Sequence, residues 1–219
     1  MDDEIDQNIV SAFNKSVGYL KSKGAIVETI SINYKLLKAI YPTYIIISSA
    51  EATSNYANLD GIRFGNRAEG KTYEEIVMNT RTKYISEYAK KRLVIGSFSL
   101  LKENQEELFL KAQKCRRLIV DAFNKVFEKY DFIYCPASPT TAPLIDLSKN
   151  KIADEYLASD NYLAFGNMGG FPSITLPIGL EENMPFGANL SAKPFCEAEL
   201  FNVAAVIEEG TGLKNLVIK

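Results

Sequence analysis

Proton chemistry in this chain has to use a restricted set of side chains, because the sequence contains no histidine. Ser-His-Asp triads, Cys-His pairs and the usual zinc sites all need an imidazole. A general base would therefore have to be Lys, Asp, Glu or Tyr. Cys115, Cys135 and Cys196 stand far apart and match neither a metal-ligand spacing nor an even disulfide framework. We interpret them as reduced and structural.

A polar run within an apolar segment gives the first candidate cluster. The apolar residues 44–47 lead into the small polar residues 48–55, which predicts a helix over 41–58 that is buried on more than one side. Small residues let another backbone come close. Glu51 and Asn55 lie one helical turn apart and would share a face, where we expect them to be buried and to need partners.

The elements that would position such residues are helices intermixed with strands. Helices are predicted over 9–20 (ended by Gly24), 41–58, 73–84, 88–100, 108–130, 154–167 and 197–209 (ended by Gly210). Strands are predicted over 25–32, 132–134, 173–178 and 186–192. Because helices and strands are intermixed, we predict an α/β fold. No repeat and no low-complexity linker divides the chain, so we expect residues 1–219 to form one unit.

Composition limits the classes of partner and location. A chain of 219 residues with 47% apolar content can bury a sizeable core. With 25 basic and 27 acidic residues it has no overall attraction for a nucleic-acid backbone. No window approaches 18 uninterrupted apolar residues, and the acidic start is unlike a secretory signal. We expect no membrane contact and a cytoplasmic location.

A family resemblance is carried by several motifs whose order and spacing agree. Residues 44–65 have the sequence YIIISSAEATSNYANLDGIRFG, and shorter matches occur at 91–96, 111–116, 130–131, 139–143 and 167–177. Together they resemble the A subunits of the tRNA-dependent amidotransferases, which are amidase-signature proteins. Residues 186–192 depart from the family's usual pattern. The resemblance implies the C-terminal portion of the amidase-signature fold, with a mixed β-sheet flanked by helices.

The resemblance also implies a division of labour. In that family a serine nucleophile, a second serine and a lysine hydrolyse glutamine, and they lie in an upstream Gly/Ser-rich segment. Nothing in this chain is similar to that segment, since Gly169-Gly170 is its only double glycine and Ser48-Ser49 lies in a predicted helix. We therefore expect no catalytic residue in this chain, and no activity from the chain alone.

The positions that match the family's glutamine-recognition wall are Tyr44, Arg92 and Asp160. Glutamine presents an α-carboxylate, which suits a guanidinium fork, and an α-ammonium, which suits a carboxylate. Each residue also has a structural interpretation that stays open. Arg92 could be a surface residue of the basic cluster 90–92, Asp160 could lie on an exposed helix or turn, and Tyr44 could be a core residue. The run 167–177 could likewise be a tight turn into a buried strand.

The function implied by the resemblance is that of the glutamine-hydrolysing component of a glutamyl-tRNA(Gln) amidotransferase. Glutamine would be the ligand, B and C subunits the partners, and tRNA an indirect partner through the B subunit. Because ATP and magnesium would belong to the B subunit, no cofactor or metal is expected here. Two alternatives remain, namely an amidase-signature hydrolase acting on a different amide, or a noncatalytic module that acts by pairing with another chain.

Overall fold

The computed structural model describes residues 5–142 and 163–214. Internal contacts divide the chain into two compact units, one comprising Met1–Ile40 with Leu118–Lys219 and the other Tyr41–Arg117. The single unit expected from the sequence stays a prediction. No helix in the described ranges combines the length and apolar character needed to cross a membrane.

The described residues combine helices with a small sheet, which confirms the α/β class. The helices are α1 (Gln7–Ser22), α2 (Tyr34–Asn55), α3 (Tyr73–Tyr84), α4 (Glu87–Leu100), α5 (Lys111–Phe127), α6 (Ala164–Gly169) and α7 (Glu197–Thr211). The strands are β1 (Phe132–Pro136), β2 (Ser173–Glu181) and β3 (Met184–Ala192). A 3₁₀ turn, Tyr56–Asn58, follows α2, and a π-helical turn, Glu106–Leu110, precedes α5.

The first unit is built on a three-stranded sheet of order β1-β3-β2 in which both described pairings are antiparallel. Alternate residues of β3, from Phe186 to Ala192, join Leu176 and Ile178 of β2 in a core with α1 and α7. Period-two alternation places these side chains on one face of the sheet. Ile9 of α1 and Ile207 of α7 are almost wholly buried against it.

Polar side chains satisfy one another within this sheet. Asn189 donates from Nδ2 to Thr175 Oγ1 at 3.0 Å, and Ser191 Oγ donates to Asn189 Oδ1 at 3.0 Å. Both β3 residues are buried, so these bonds remove the cost of leaving their polar atoms unpaired.

The Gly169-Gly170 motif forms the tight turn into β2 that the sequence allows. Gly170 adopts the left-handed conformation with φ of 67°, and the N–H of Phe171 bonds to the carbonyl of Gly166 at 3.1 Å. A Cβ on Gly169 would lie 2.2 Å from the Phe171 ring. The turn thus seats Phe171 beside Phe165, within an aromatic cluster that includes Phe123 of α5.

The second unit comprises the later part of α2, then α3, α4, the π-helical turn, the first residues of α5 and the connecting loops. Thr72 caps α3 by accepting a hydrogen bond from the N–H of Glu75 at 3.2 Å, and Ser86 caps α4 through the N–H of Ala89 at 3.3 Å. These two caps fix where the helices begin, in close agreement with the predicted starts at 73 and 88.

Three sequence expectations are wrong. Residues 25–32 form no strand, because the backbone of a strand needs a hydrogen-bonding partner and no described strand pairs with them. Ile26 in this segment is 90% exposed. Helix α7 ends at Gly212, where φ is 67°, while Gly210 lies inside the helix with its Cα against the Tyr19 ring. Glu51 and Asn55, expected to be buried, are exposed.

Candidate functional site

The candidate site lies where α4 meets the later part of α2 in the second unit. Gly96 of α4 sits directly on the α2 backbone, since a Cβ there would lie 2.1 Å from the Ser49 carbonyl oxygen and 2.2 Å from Thr53 Oγ1. The Thr53 hydroxyl is 2.9 Å from the Ser49 carbonyl oxygen and 3.1 Å from that of Leu93. This close packing places Arg92, one turn before Gly96, beside Ser48.

The side chain of Arg92 turns onto α2 and meets uncharged groups. Its Nη2 donates to Ser48 Oγ at 2.5 Å, and its Nη1 lies 3.5 Å from Tyr88 Oη, at the outer limit of a hydrogen bond. The Arg92 Cζ lies 5.6 Å from the centroid of the Tyr44 ring, within cation–π range. Two of the three residues predicted for glutamine recognition are therefore brought together.

The neighbouring basic residues behave differently from Arg92. Lys90 Nζ pairs with the Glu87 carboxylate at 2.7 Å, and this hydrogen bond and charge hold the pKa of Glu87 below its ordinary value. Lys91 is exposed, whereas Arg92 is half-buried. Within residues 5–142 and 163–214, Arg92 forms no ion pair with a carboxylate. Its geometry is not that of an ordinary solvated surface cation.

This arrangement can bind a carboxylate. A guanidinium has five N–H donors, and at most two of those on Arg92 are engaged by the protein across the described ranges. At least three remain for an external acceptor. A carboxylate can accept two of them in parallel, which fixes both its position and its orientation. The half-buried Tyr44 ring supplies an apolar surface next to that charge.

Asp160, the third predicted recognition residue, lies outside the described residues, so its role stays a prediction. Asp60, from the family-like stretch 60–63, has a role inside its own loop. Its Oδ1 accepts the N–H groups of Ile62 at 2.7 Å and Arg63 at 3.1 Å, and these bonds lower the pKa of the carboxyl. Among the residues that the structure describes, no group of three or more Cys, Asp or Glu side chains is placed to hold a metal ion.

Two residues at the site were not predicted from the sequence. Ser48 accepts the bond from Arg92, and Tyr88 lies one turn before Arg92 on α4. A signal for Ser48 was present, because it follows Tyr44 by four residues and so shares its helical face. Its partner could not be identified in this way, since Arg92 is 44 residues distant in sequence.

Comparison with known proteins finds a family that matches most of the chain. A family model described as Amidase matches residues 1–201. The glutamyl-tRNA(Gln) amidotransferase A subunit of Vesicomyosocius okutanii subsp. Calyptogena okutanii (strain HA) is 38% identical over 207 residues, covering 93% of this chain and 41% of the relative. The chain thus spans about two fifths of the length of this curated relative.

Solved structures match the fold. The corresponding A subunit from Thermotoga maritima gives a TM-score of 0.67 at 30% identity, over 94% of this chain and 39% of that one. A bacterial aryl acylamidase of the amidase signature family gives a TM-score of 0.69 at 18% identity, over 94% and 41% of the two chains. At that identity the second match concerns the fold alone. The matches confirm the resemblance carried by the sequence motifs.

Proposed function

We propose that this chain, which belongs to the amidase family, forms the glutamine-recognition wall in the A subunit of a glutamyl-tRNA(Gln) amidotransferase. The observation that carries the proposal is the placement of Arg92, which is half-buried beside Tyr44 and Ser48. Across the described ranges at least three of its five N–H donors are not engaged by the protein. The names of the curated relatives support the choice of enzyme.

Glutamine would be held by its two charged ends. Its α-carboxylate would accept two parallel N–H bonds from Arg92, a geometry that a lysine could not reproduce. Its α-ammonium would pair with the Asp160 carboxylate. The Tyr44 ring would cover the carbon chain and would strengthen the electrostatic contact by excluding water. The side-chain amide would then project away from Arg92, towards the hydrolytic groups.

The hydrolytic groups are expected elsewhere in the full-length protein. A serine nucleophile assisted by a second serine and a lysine would attack the amide carbon, its proton would pass to the leaving nitrogen, and the C–N bond would break to release ammonia. Water would then hydrolyse the glutamyl ester on the serine and release glutamate. A partner B subunit would use ATP and magnesium to activate glutamyl-tRNA(Gln), which the ammonia would convert to glutaminyl-tRNA(Gln). A small C subunit would bind the A subunit, and the assembly would act in the cytoplasm. On this proposal the present chain contributes specificity and does not release ammonia by itself.

The test is a binding titration of the 219-residue chain with glutamine and with glutaminamide, in which a neutral amide replaces the α-carboxylate. We expect glutamine to bind more tightly. Arg92→Ala should weaken glutamine binding by roughly tenfold to a hundredfold, as expected for one or two charge-assisted hydrogen bonds. Glutaminamide binding should change little, so the preference for glutamine should disappear.

Lys91→Ala is the matched control, because Lys91 is an exposed cation next to Arg92 on the same helix. It should leave both affinities unchanged. Equal affinity for glutamine and glutaminamide in the unsubstituted chain would contradict the proposal and would favour an amidase that acts on an amide without a carboxylate. If Lys91→Ala weakened glutamine binding as much as Arg92→Ala, general surface charge would explain the effect and the specific role of Arg92 would be wrong.

A further inference from the structure

We infer that Ser48 is a positioning residue that fixes the Arg92 guanidinium for carboxylate binding; the inference rests on the proposed function. The contact that carries it is the 2.5 Å bond from Arg92 Nη2 to Ser48 Oγ, formed between residues on two different helices. The hydroxyl does not meet glutamine on this account. It acts through Arg92.

The direction of the hydrogen bonds is determined by their chemistry. A guanidinium can only donate, so Ser48 Oγ must be the acceptor in its bond with Arg92. A serine hydroxyl has one proton, and this proton is donated to the main-chain carbonyl of Tyr44, 2.6 Å away. The hydroxyl therefore has its proton directed away from Arg92 and a lone pair directed towards it. Two hydrogen bonds in series therefore connect the main-chain carbonyl of Tyr44, through Ser48 Oγ, to the guanidinium of Arg92.

The connection sets the relative position of two substrate-facing residues. Tyr44 and Ser48 are one turn apart on α2, whereas Arg92 reaches them from α4 on a long flexible stem. The weak 3.5 Å contact with Tyr88 and the cation–π contact with Tyr44 leave rotation of the guanidinium within its plane poorly fixed. A short charge-assisted bond to Ser48 restricts that rotation. The remaining N–H donors are thereby held for a carboxylate before glutamine arrives, which lowers the cost of binding.

Removal of the Ser48 hydroxyl should not weaken the α2 helix. Serine in a helix interior competes for the carbonyl four residues earlier and is a poorer helix former than alanine. Loss of affinity in Ser48→Ala could therefore not be attributed to a weaker α2 helix. The substitution removes the acceptor and leaves the helix at least as favourable.

The test extends the glutamine and glutaminamide titration to Ser48→Ala, Ser48→Thr and Ser54→Ala. Ser48→Ala should weaken glutamine binding about tenfold, the effect of one hydrogen bond to a charged group, and should leave glutaminamide binding within about twofold. Ser48→Thr keeps an oxygen that can bond to both partners and should restore most of the preference. Ser54→Ala alters an exposed serine on the same helix and should have no effect.

The outcomes separate this inference from the function on which it rests. If Arg92→Ala removes the preference for glutamine while Ser48→Ala preserves it, the positioning role is overturned and the recognition role of Arg92 stands. If the unsubstituted chain shows no preference for glutamine, the proposed function itself is overturned. An equal loss of both affinities in Ser48→Ala, unrepaired by Ser48→Thr, would mean that Ser48 is only structural.

Discussion

A half-buried arginine that meets a hydroxyl and an aromatic ring retains donors that an ion pair would occupy. Arg92 is in this situation, whereas Lys90, two residues earlier, is neutralised by Glu87. Arginine stays charged at any pH compatible with folding, and its planar fork matches a carboxylate. At the residue scale, the site depends on this geometry as much as on the positive charge.

Arg92→Lys separates charge from geometry. Lysine keeps the positive charge but offers a single rotating ammonium, so the two parallel bonds to the α-carboxylate become one. We expect glutamine affinity to fall by about tenfold, equivalent to about 1.4 kcal/mol. Calorimetric titration of the purified variant measures this value. Full retention of affinity would show that the site needs only a cation.

Cys135 supplies a pH-dependent prediction at the same scale. Burial raises the pKa of its thiol from 9.0 to about 12. The folded chain therefore holds the neutral thiol while the unfolded chain ionises above pH 9. The associated stability is present below the unfolded pKa and is lost as the pH rises from 9 towards 12. We expect the unsubstituted chain to lose more stability than Cys135→Ala between about pH 8 and pH 10 in urea titrations. Parallel pH profiles would argue against burial of this thiol.

At the element scale, a glycine controls how closely α4 approaches α2. A side-chain carbon at position 96 would lie 2.1 Å from the Ser49 carbonyl oxygen and 2.2 Å from Thr53 Oγ1. One helix would have to move away from the other, which would separate Arg92 from Ser48. The same displacement would weaken both stability and glutamine binding.

Gly96→Ala should therefore destabilise the chain by about 1–3 kcal/mol, the usual cost of overpacking. Gly18→Ala is the matched control, since Gly18 also lies in a helix and a Cβ there would meet nothing within 4 Å. That substitution should stabilise the chain by about 0.5–1 kcal/mol through improved helix propensity. Urea unfolding of the three proteins gives both values. A neutral Gly96→Ala would contradict the close helix packing described above.

Local signals predicted elements well where local interactions determine them. Gly24 was predicted to end α1 and has a φ of 94°, and the bounds of α3 agree with those predicted. Partners distant in sequence account for the errors. Gly210 was predicted to end α7, but it accommodates the Tyr19 ring inside the helix, and the β-branched residues 25–32 have no described partner strand.

At the scale of the whole molecule, motif order was enough to predict the family, and the match over residues 1–201 confirms it. The proximity of Tyr44 and Arg92 was implied only by the resemblance, because no periodicity connects positions on separate helices. Ser48 shares a helical face with Tyr44, but its pairing with Arg92 could not be predicted for the same reason. Composition could exclude histidine chemistry, but it could not indicate which of the many cations in the chain would face a ligand.

The most direct test of the central claim is a crystal structure of the chain with glutamine bound. We expect the α-carboxylate to accept two bonds from Arg92 at about 2.8 Å. We also expect Ser48 to stay bonded to the same guanidinium and the Tyr44 ring to lie against the ligand. A carboxylate bound to Lys91 or to another cation, with Arg92 facing solvent, would contradict the account.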